Sequence, residues 1–363
     1  MVSLDAERPG AVELSVALDD APGDHASAVA YPELVGRVLP GDRVLLNTTA
    51  VALGLGTGGL HFVVAVDRPE PVEVVGRGRT MKLRYTPAQV AVLAAEEQES
   101  PHHDALRDAD DLHGLPVVWI PLHSMLGPVA AGARAAGASR VAYVMTDGAA
   151  LPSGLSRQIH QLRTAGILDG VVTAGQAFGG DIEAVTAFSG MLAARCILDA
   201  DVLVVGDGPG NTGTDSPWGT TALQSAHSLN AAAILGGRPV AALRISFADR
   251  RQRHVGVSHH SMTALSRVAL VPAHVAVPVL PDGERRDLVW STLREAKLDE
   301  RHQLVEANGQ PGLDLLRRHG VEPTSMGRGR EDDPEFFLAA ASAGVLAGRM
   351  AAGSRAWRDD YSM

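Results

Sequence analysis

The sequence predicts an α/β protein: a central, mostly parallel sheet with flanking helices, preceded by a small β-barrel-like N-terminal domain. Three observations carry that prediction. Short, almost continuously apolar runs recur from residue 114 onward, as strands buried on both faces of a parallel sheet require. Helical segments separate these runs at intervals of about 25 to 40 residues, the spacing of repeated βα units. Before residue 80, by contrast, short alternating segments are broken by turn residues, the pattern of antiparallel hairpins.

The elements follow in order. "AVELSVAL" alternates, and "VGRVLPGDRVLLNTTAV" places a Pro-Gly-Asp turn between two Val/Leu-rich pieces. "GLGTGGLHFVVAV" and "PVEVVGRG" complete a β-rich domain over residues 1–80. Residues 81–113 are expected to form a helix and a linker. "TPAQVAVLAAEEQES" offers Thr86 as N-cap and Pro87 in the first turn, and "PHHDALRDADDLHG" is expected to be a solvated surface loop.

Residues 114–280 form the expected parallel domain. Its strand runs are "LPVVWIP", "SRVAYVMT", "DGVVTA", "DVLVVG", "RPVAALRISF" and "SRVALVPA". Ser153 is placed to cap the amphipathic helix "GLSRQIHQLRTAGIL". "IEAVTAFSGMLAARCILDA" is apolar nearly all round and is expected to be a buried helix, with Asp181 as its N-cap and Cys196 in core packing. Residues 281–363 are expected to be a helical segment packed on the sheet. It ends in "EFFLAAASAGVLAGRMAAG", capped by Asp333 and opened by Pro334. The small residues of that helix allow close backbone approach inside the subunit, and also admit a homo-oligomer.

Composition narrows the functional classes. A net charge of −10 argues against a general nucleic-acid binder. One cysteine excludes disulfide scaffolds and cysteine zinc sites. No basic and apolar leader opens the chain and no apolar run is expected to reach membrane-spanning length, so a cytoplasmic protein with no membrane partner is expected. The only lysines are Lys82 and Lys297, which leaves arginine as the expected anion ligand.

Chemistry is expected at the carboxyl ends of the parallel strands, where open α/β sheets bind ligands. The first strand runs into His123 and Ser124, and the second into Asp147. The third leads to Gln176, Asp181 and Glu183. The fourth opens into Asp207, Gly208, Gly210, Asn211, Thr212, Gly213, Thr214 and Asp215, and the fifth into Asp249, Arg250 and His254. The opposite connections are short and bland.

The Gly208–Gly213 segment formally matches G-x-G-x-x-G, but Pro217 and Trp218 interrupt the helix that should follow, and no acidic residue sits about 20 positions on. A dinucleotide is therefore not expected. Backbone amides of the loop could hold an anion, or the loop could be a tight structural turn. Asp147, Asp181, Asp207, His254 and His259 are the catalytic candidates, as acid, base or ligand. Arg250 is the candidate anion clamp. Three histidines within residues 254–260 leave metal binding, proton transfer and a structural role open. For a divalent metal, Asp249, His254 and His260 are the candidate ligands, because adjacent histidines rarely share one ion and a catalytic site wants three protein ligands. Together these features point to a small-molecule enzyme acting on an anionic substrate, through acid/base or metal-assisted chemistry. A non-catalytic binding or sensor protein and an assembly protein are the alternatives.

Several long segments carry a family resemblance. "TAGQAFGGDIEAV", "GPGNTGTDSPWGTTAL", "RISFADRRQRHVGVSHHSMTAL" and "MGRGREDDPEFFLAAASAG" resemble the signature segments of a bacterial domain-of-unknown-function family, number 3866. "PGDRVLLNTTAVALGLGTGGLHFVVA" resembles its N-terminal segment. The resemblance implies a cytosolic bacterial protein. It supplies no reaction and no catalytic residue.

Overall fold

A computed structural model describes residues 3–19, 23–67 and 78–359. The N-terminal strands are β1 (Ser3–Arg8), β2 (Ala11–Ala17), β3 (His25–Ala30), β4 (Val44–Asn47) and β5 (His61–Val66). They form one open sheet in the order β1-β2-β3-β5-β4. The β3–β5 pair is parallel and the others are antiparallel. The expected barrel is thus an open mixed sheet among the described residues; nearly all of "PVEVVGRG" lies outside them. One face buries Val12, Leu14, Val16, Val35 and Val63. Arg8 anchors the sheet to the rest of the chain. It is buried, donates to Gly154 O at 2.7 Å and pairs with Glu13 at 2.6 Å. Glu13 also accepts from Arg157 Nε at 2.8 Å.

The helix expected from Thr86 is not formed. β6 (Thr80–Lys82) and β7 (Val90–Val92) make an antiparallel hairpin instead. The Glu97 carboxylate explains the outcome, because it accepts the amides of Arg79, Thr80 and Ala94 and so fastens a turn. The loop that follows contains one short helical turn, His103–Leu106.

The parallel sheet comprises β8 (Pro116–Trp119), β9 (Val141–Thr146), β10 (Gly170–Ala174), β11 (Ile182–Ala184), β12 (Val202–Asp207) and β13 (Arg238–Ala242). A two-residue hairpin, β14 (Ile245–Ser246) and β15 (Gly256–Val257), precedes β16 (His274–Pro278) and β17 (Gln303–Ala307). The large sheet runs β11-β10-β9-β12-β8-β13-β16-β17, and every pair in it is parallel.

Three segments differ from expectation. "SRVALVPA" is not a strand; it is the end of a π-type turn, Ala264–Val268, and the strand begins at His274. Ile182–Ala184 is a strand, so the following helix starts at Ala187 and is capped by Thr186 rather than Asp181. The C-terminal segment is not purely helical, because it supplies the edge strand β17. Ser156, not Ser153, caps the helix Arg157–Thr164 by accepting the Ile159 amide. Cys196 is exposed rather than in the core.

The last helix, Pro334–Asp359, lies against the helix Leu126–Ala135. A Cβ at Gly132 would strike the carbonyl of Ala341, and one at Gly344 would strike that of Val129. Glycine at both positions therefore lets the two backbones touch. Pro334–Gly353 is long and apolar enough to cross a bilayer, contrary to expectation, but two thirds of that stretch is buried inside the protein. It behaves as a core helix.

Helix placement defines the ligand edge. The helix after β8, Leu126–Ala135, packs on one face with Phe336, Phe337 and Leu316. The helix after β12, Ala222–Ile234, packs on the other face. β8 and β12 are neighbours, so their connections diverge to opposite faces. That divergence is a topological switch point.

Candidate functional site

The switch point itself is filled. His123 follows β8, is buried, and has both ring nitrogens engaged: Nε2 lies 2.6 Å from Ser156 Oγ and Nδ1 lies 3.3 Å from Tyr143 Oη. The Tyr143 hydroxyl donates toward the carbonyls of Gly206 (3.0 Å) and Asp207 (2.7 Å). Burial lowers the pKa of His123 to about 4 and raises that of the Tyr143 phenol. Ser124 Oγ lies 3.0 Å from Ser325 Oγ.

Asp207 ends β12 with its carboxylate saturated. It accepts from Thr146 Oγ1 (2.7 Å), the Gly148 amide (3.0 Å) and Asn211 Nδ2 (3.0 Å). Burial raises its pKa, and these three donors oppose the rise. Asp207 is therefore placed to hold three loops together.

The glycine-rich loop closes on itself. Gly208 packs against Ala150, and Gly210 takes a positive φ of 95°. The amides of Thr212, Thr214 and Ser216 donate to Thr221 Oγ1, Gly219 O and Thr214 Oγ1. Gly213 bridges to Thr220. These internal bonds tie the second half of the loop into a tight turn.

Other predicted residues are dispersed. Asp147 accepts the Gln176 amide at 2.8 Å, and Gln176 Oε1 accepts the Arg84 amide at 3.2 Å. Asp181 accepts the Val171 amide at 2.8 Å and pairs with Arg163. Val171 stands near the start of β10, so Asp181 lies on the amino edge, opposite Asp207. The two carboxylates do not share a pocket. Glu183, in β11, pairs with Lys82 at 3.3 Å, and Lys82 Nζ donates to Ala184 O at 3.0 Å. Lys82 is wholly buried; burial lowers its pKa, against the pull of Glu183. This pair fastens the β6–β7 hairpin to the sheet.

The fifth strand end differs from all of these. His254 closes a short turn, Gln252–His254, and Ser258 leads into the helix His259–Thr263. The Ser258 amide donates to Arg244 O at 2.9 Å, which fixes the second segment against the end of β13. His254, His259 and His260 converge, and one nitrogen from each lies within 4.8 Å of the others. Ring centroids are 3.9 Å apart for His259–His260, 5.3 Å for His254–His259 and 5.4 Å for His254–His260. A Cβ at Gly213 would sit 3.0 Å from His260 Nε2, so the loop after β12 borders the cluster.

Arginines surround the histidines. Buried Arg244 pairs with Asp249 at 2.9 Å, and Arg251 pairs with it at 2.8 Å. Arg253 reaches Asp215 at 3.1 Å. Arg328 Nε pairs with buried Asp333 at 3.2 Å, and Ser246 Oγ donates to the same carboxylate at 2.7 Å. Burial opposes the charge on Asp249, yet the Arg251 hydrogen bonds outweigh it and hold the carboxyl well below its usual range. Asp249 is thus committed to arginine and stands outside the histidine cluster. Arg250, the expected clamp, is exposed. Asp333 directs its carboxylate to Ser246 and Arg328 instead of serving only as a helix cap.

Burial, followed by the charges of Arg244 and Arg251, lowers the pKa of His254 to about 3. Burial, then His259 and the arginines, lowers that of His260 to about 4. Burial, then the Arg253 charge, lowers that of His259, so all three shifts favour the neutral ring, the state in which imidazole can accept a proton or ligate a metal.

Sequence reading missed Arg244 and Arg328. The available signal for Arg244 was an arginine inside the apolar run "RPVAALRISF", since a buried guanidinium needs partners. Arg328 lies 84 residues beyond Arg244 in the sequence, and only the fold brings it close.

Two clefts lie away from this cluster. One, about 600 Å³, includes Trp290, Arg301 and His302; the other, about 240 Å³, includes Pro116, Arg140 and Arg238 at the amino edge. Three of their arginines are engaged with backbone carbonyls, Arg301 with Ser266 and Ala269, Arg140 with Leu198, and Arg238 with Gly114 and Met350; Arg294 lies over the Trp290 ring and Arg195 faces Asp199. Size alone therefore does not mark the site.

No curated protein and no solved structure matches the chain. The chain belongs to the family described as protein of unknown function (DUF3866), which matches residues 27–344.

Proposed function

We propose that the protein is a small-molecule enzyme acting on an anionic substrate at the carboxyl edge of the parallel sheet, between the loop 207–221 and the segment 243–260. One observation supports this reading above the others. Buried nitrogens there lack hydrogen-bond partners among the described residues: His259 Nε2, both nitrogens of His260, Arg244 Nε, Arg253 Nε and an Arg328 Nη. The three guanidinium nitrogens can only donate, and against them stands one unpaired carboxylate oxygen, Asp333 Oδ1; a neutral imidazole adds one donor and one acceptor alike. Leaving a buried polar group unpaired costs about 1–3 kcal/mol, so this excess of donors fits a ligand rich in acceptors. Arg244 and Arg253 would hold the anion, because the guanidinium fork matches carboxylate and phosphate geometry. His259, half-buried beside them, would carry protons or bind a metal.

The experiment is a turnover assay of the full chain on a panel of phosphate and carboxylic esters, with calorimetric titration of inorganic phosphate alongside. The expected result is turnover that His259→Ala and Arg253→Gln abolish while circular dichroism remains native. Phosphate binding with no turnover across the panel would favour a non-catalytic binding protein. That second reading draws on one observation: the carboxylates near the histidines, Asp215 and Asp249, are already held by Arg253 and by Arg244 and Arg251. No phosphate binding and no turnover would contradict both.

A further inference from the structure

We infer that His254, His259 and His260 form a binding site for a single divalent transition-metal ion of the zinc class. The inference deepens the functional reading of the same pocket, but its core stands on separate observations. His260 is buried at 6 % exposure, and neither of its ring nitrogens has a hydrogen-bond partner among the described residues. His259 Nε2 is likewise buried and unpaired. Buried imidazoles normally satisfy at least one nitrogen; here the unpaired nitrogens gather with those of a third histidine within 4.8 Å. Tetrahedral coordination at about 2.0–2.1 Å places ligand nitrogens roughly 3.4 Å apart, which modest side-chain rotations would reach.

His254 carries the outer partner such a ligand needs. Its Nδ1 lies 2.8 Å from Ser258 Oγ, and Ser258 is fully buried. With the proton on Nδ1 donated to that hydroxyl, Nε2 would be the nitrogen left to ligate, as second-shell partners of metal-bound histidine arrange. The expectation that adjacent histidines would not serve together gives way here, because the two rings come together at the helix start, tilted by 35° with centroids 3.9 Å apart, and each offers a nitrogen within 4.8 Å of the other two histidines'.

The donor set selects the metal. Three neutral imidazoles suit zinc, cobalt or nickel, whereas magnesium and calcium want oxygen ligands. Three protein ligands leave a fourth position open, as in catalytic rather than structural sites. Charge selects what fills it. Arg244, Arg251 and Arg253 repel a bare cation, so an anion in the fourth position relieves the repulsion. Metal and anion should therefore strengthen each other's binding reciprocally.

The test is calorimetric titration of chelator-stripped full-length protein with Zn²⁺, repeated with Co²⁺ by visible absorption, each with and without inorganic phosphate. The expected result is one equivalent of Zn²⁺, a tetrahedral Co²⁺ spectrum, and tighter Zn²⁺ binding when phosphate is present. His259→Ala and His260→Gln should each weaken Zn²⁺ by at least about 100-fold, while exposed His227→Ala leaves it unchanged. Circular dichroism confirms that the variants fold; if one does not, the other decides. Absence of stoichiometric Zn²⁺ binding, or binding indifferent to both variants, overturns the site. Zinc without phosphate binding supports the metal site and contradicts the anion reading; phosphate binding to protein that takes no zinc does the reverse.

Discussion

Two regions share the carboxyl edge of the sheet and treat their polar atoms in opposite ways. At the switch point, His123, Tyr143, Ser156 and Asp207 are buried and every one of them is engaged. At the end of β13, the histidine–arginine cluster is buried or half-buried, but six of its nitrogens are themselves buried and lack hydrogen-bond partners among the described residues: His259 Nε2, both of His260, Arg244 Nε, Arg253 Nε and an Arg328 Nη. Topology marks the first region as a ligand crevice, yet its residues are used to join loops. Unsatisfied chemistry marks the second. The contrast teaches that strand position locates an edge, and polar satisfaction locates the site along it.

Substitutions can break this comparison. The largest effect is expected for Asp207→Ala, which takes from half-buried Thr146, the Gly148 amide and Asn211 their shared acceptor and leaves a gap at the buried end of β12. A loss of about 4 kcal/mol in unfolding free energy is expected, measured by urea denaturation. A loss under about 1 kcal/mol would show that the network is not structural.

The second effect is an acid limb. His123 has a folded pKa of about 4, below its unfolded value near 6.5. The unfolded chain takes up the proton first, so the stability that neutral His123 contributes is full above pH 6.5 and is lost as pH falls through 4. The limiting loss is roughly 3 kcal/mol. His123→Asn should flatten that part of the stability-versus-pH curve, and an unchanged slope would remove His123 from the account.

In the other region the sign reverses. His260→Phe in metal-free protein removes two unpaired nitrogens and keeps a ring, so stability should stay level or rise by about 1 kcal/mol. A loss above about 2 kcal/mol would mean that His260 is a satisfied core residue. The smallest effect belongs to exposed Arg250: Arg250→Ala should change stability by less than about 0.5 kcal/mol and leave phosphate binding unaltered in calorimetry.

Much of the sheet was legible because β8, β9, β10, β12 and β13 are continuous apolar runs. β11 and β17 were not. Ile182–Ala184 is only three residues long, and Gln303–Ala307 is an edge strand with charged and half-exposed positions. The run "SRVALVPA" misled because only its first three residues end a helical turn and the rest form the connection that leads into β16 at His274. The missing helix after Thr86 reflects Glu97, whose carboxylate ties the Ala94 amide of that stretch to the Arg79 and Thr80 amides ahead of it. At the site, clustering of His254, His259 and His260 was visible in the sequence, and so was the edge they occupy. The identity of the arginines was not. Arg250 and Arg251 are adjacent in sequence, and only the turn after Asp249 decides which one faces inward; Arg244 and Arg328 converge through tertiary packing. Asp181 was misplaced because a three-residue strand was read as the start of a helix, which moved it to the wrong edge.

The central claim is that the unpaired histidines, not the switch-point network, form the functional centre. The most direct measurement is an anomalous difference map at the zinc edge from crystals grown with Zn²⁺ and phosphate. The account predicts one peak within about 2.1 Å of a nitrogen from each of His254, His259 and His260, with phosphate density between it and the arginines. A peak at His123 or at a surface histidine, with none at this cluster, would contradict it.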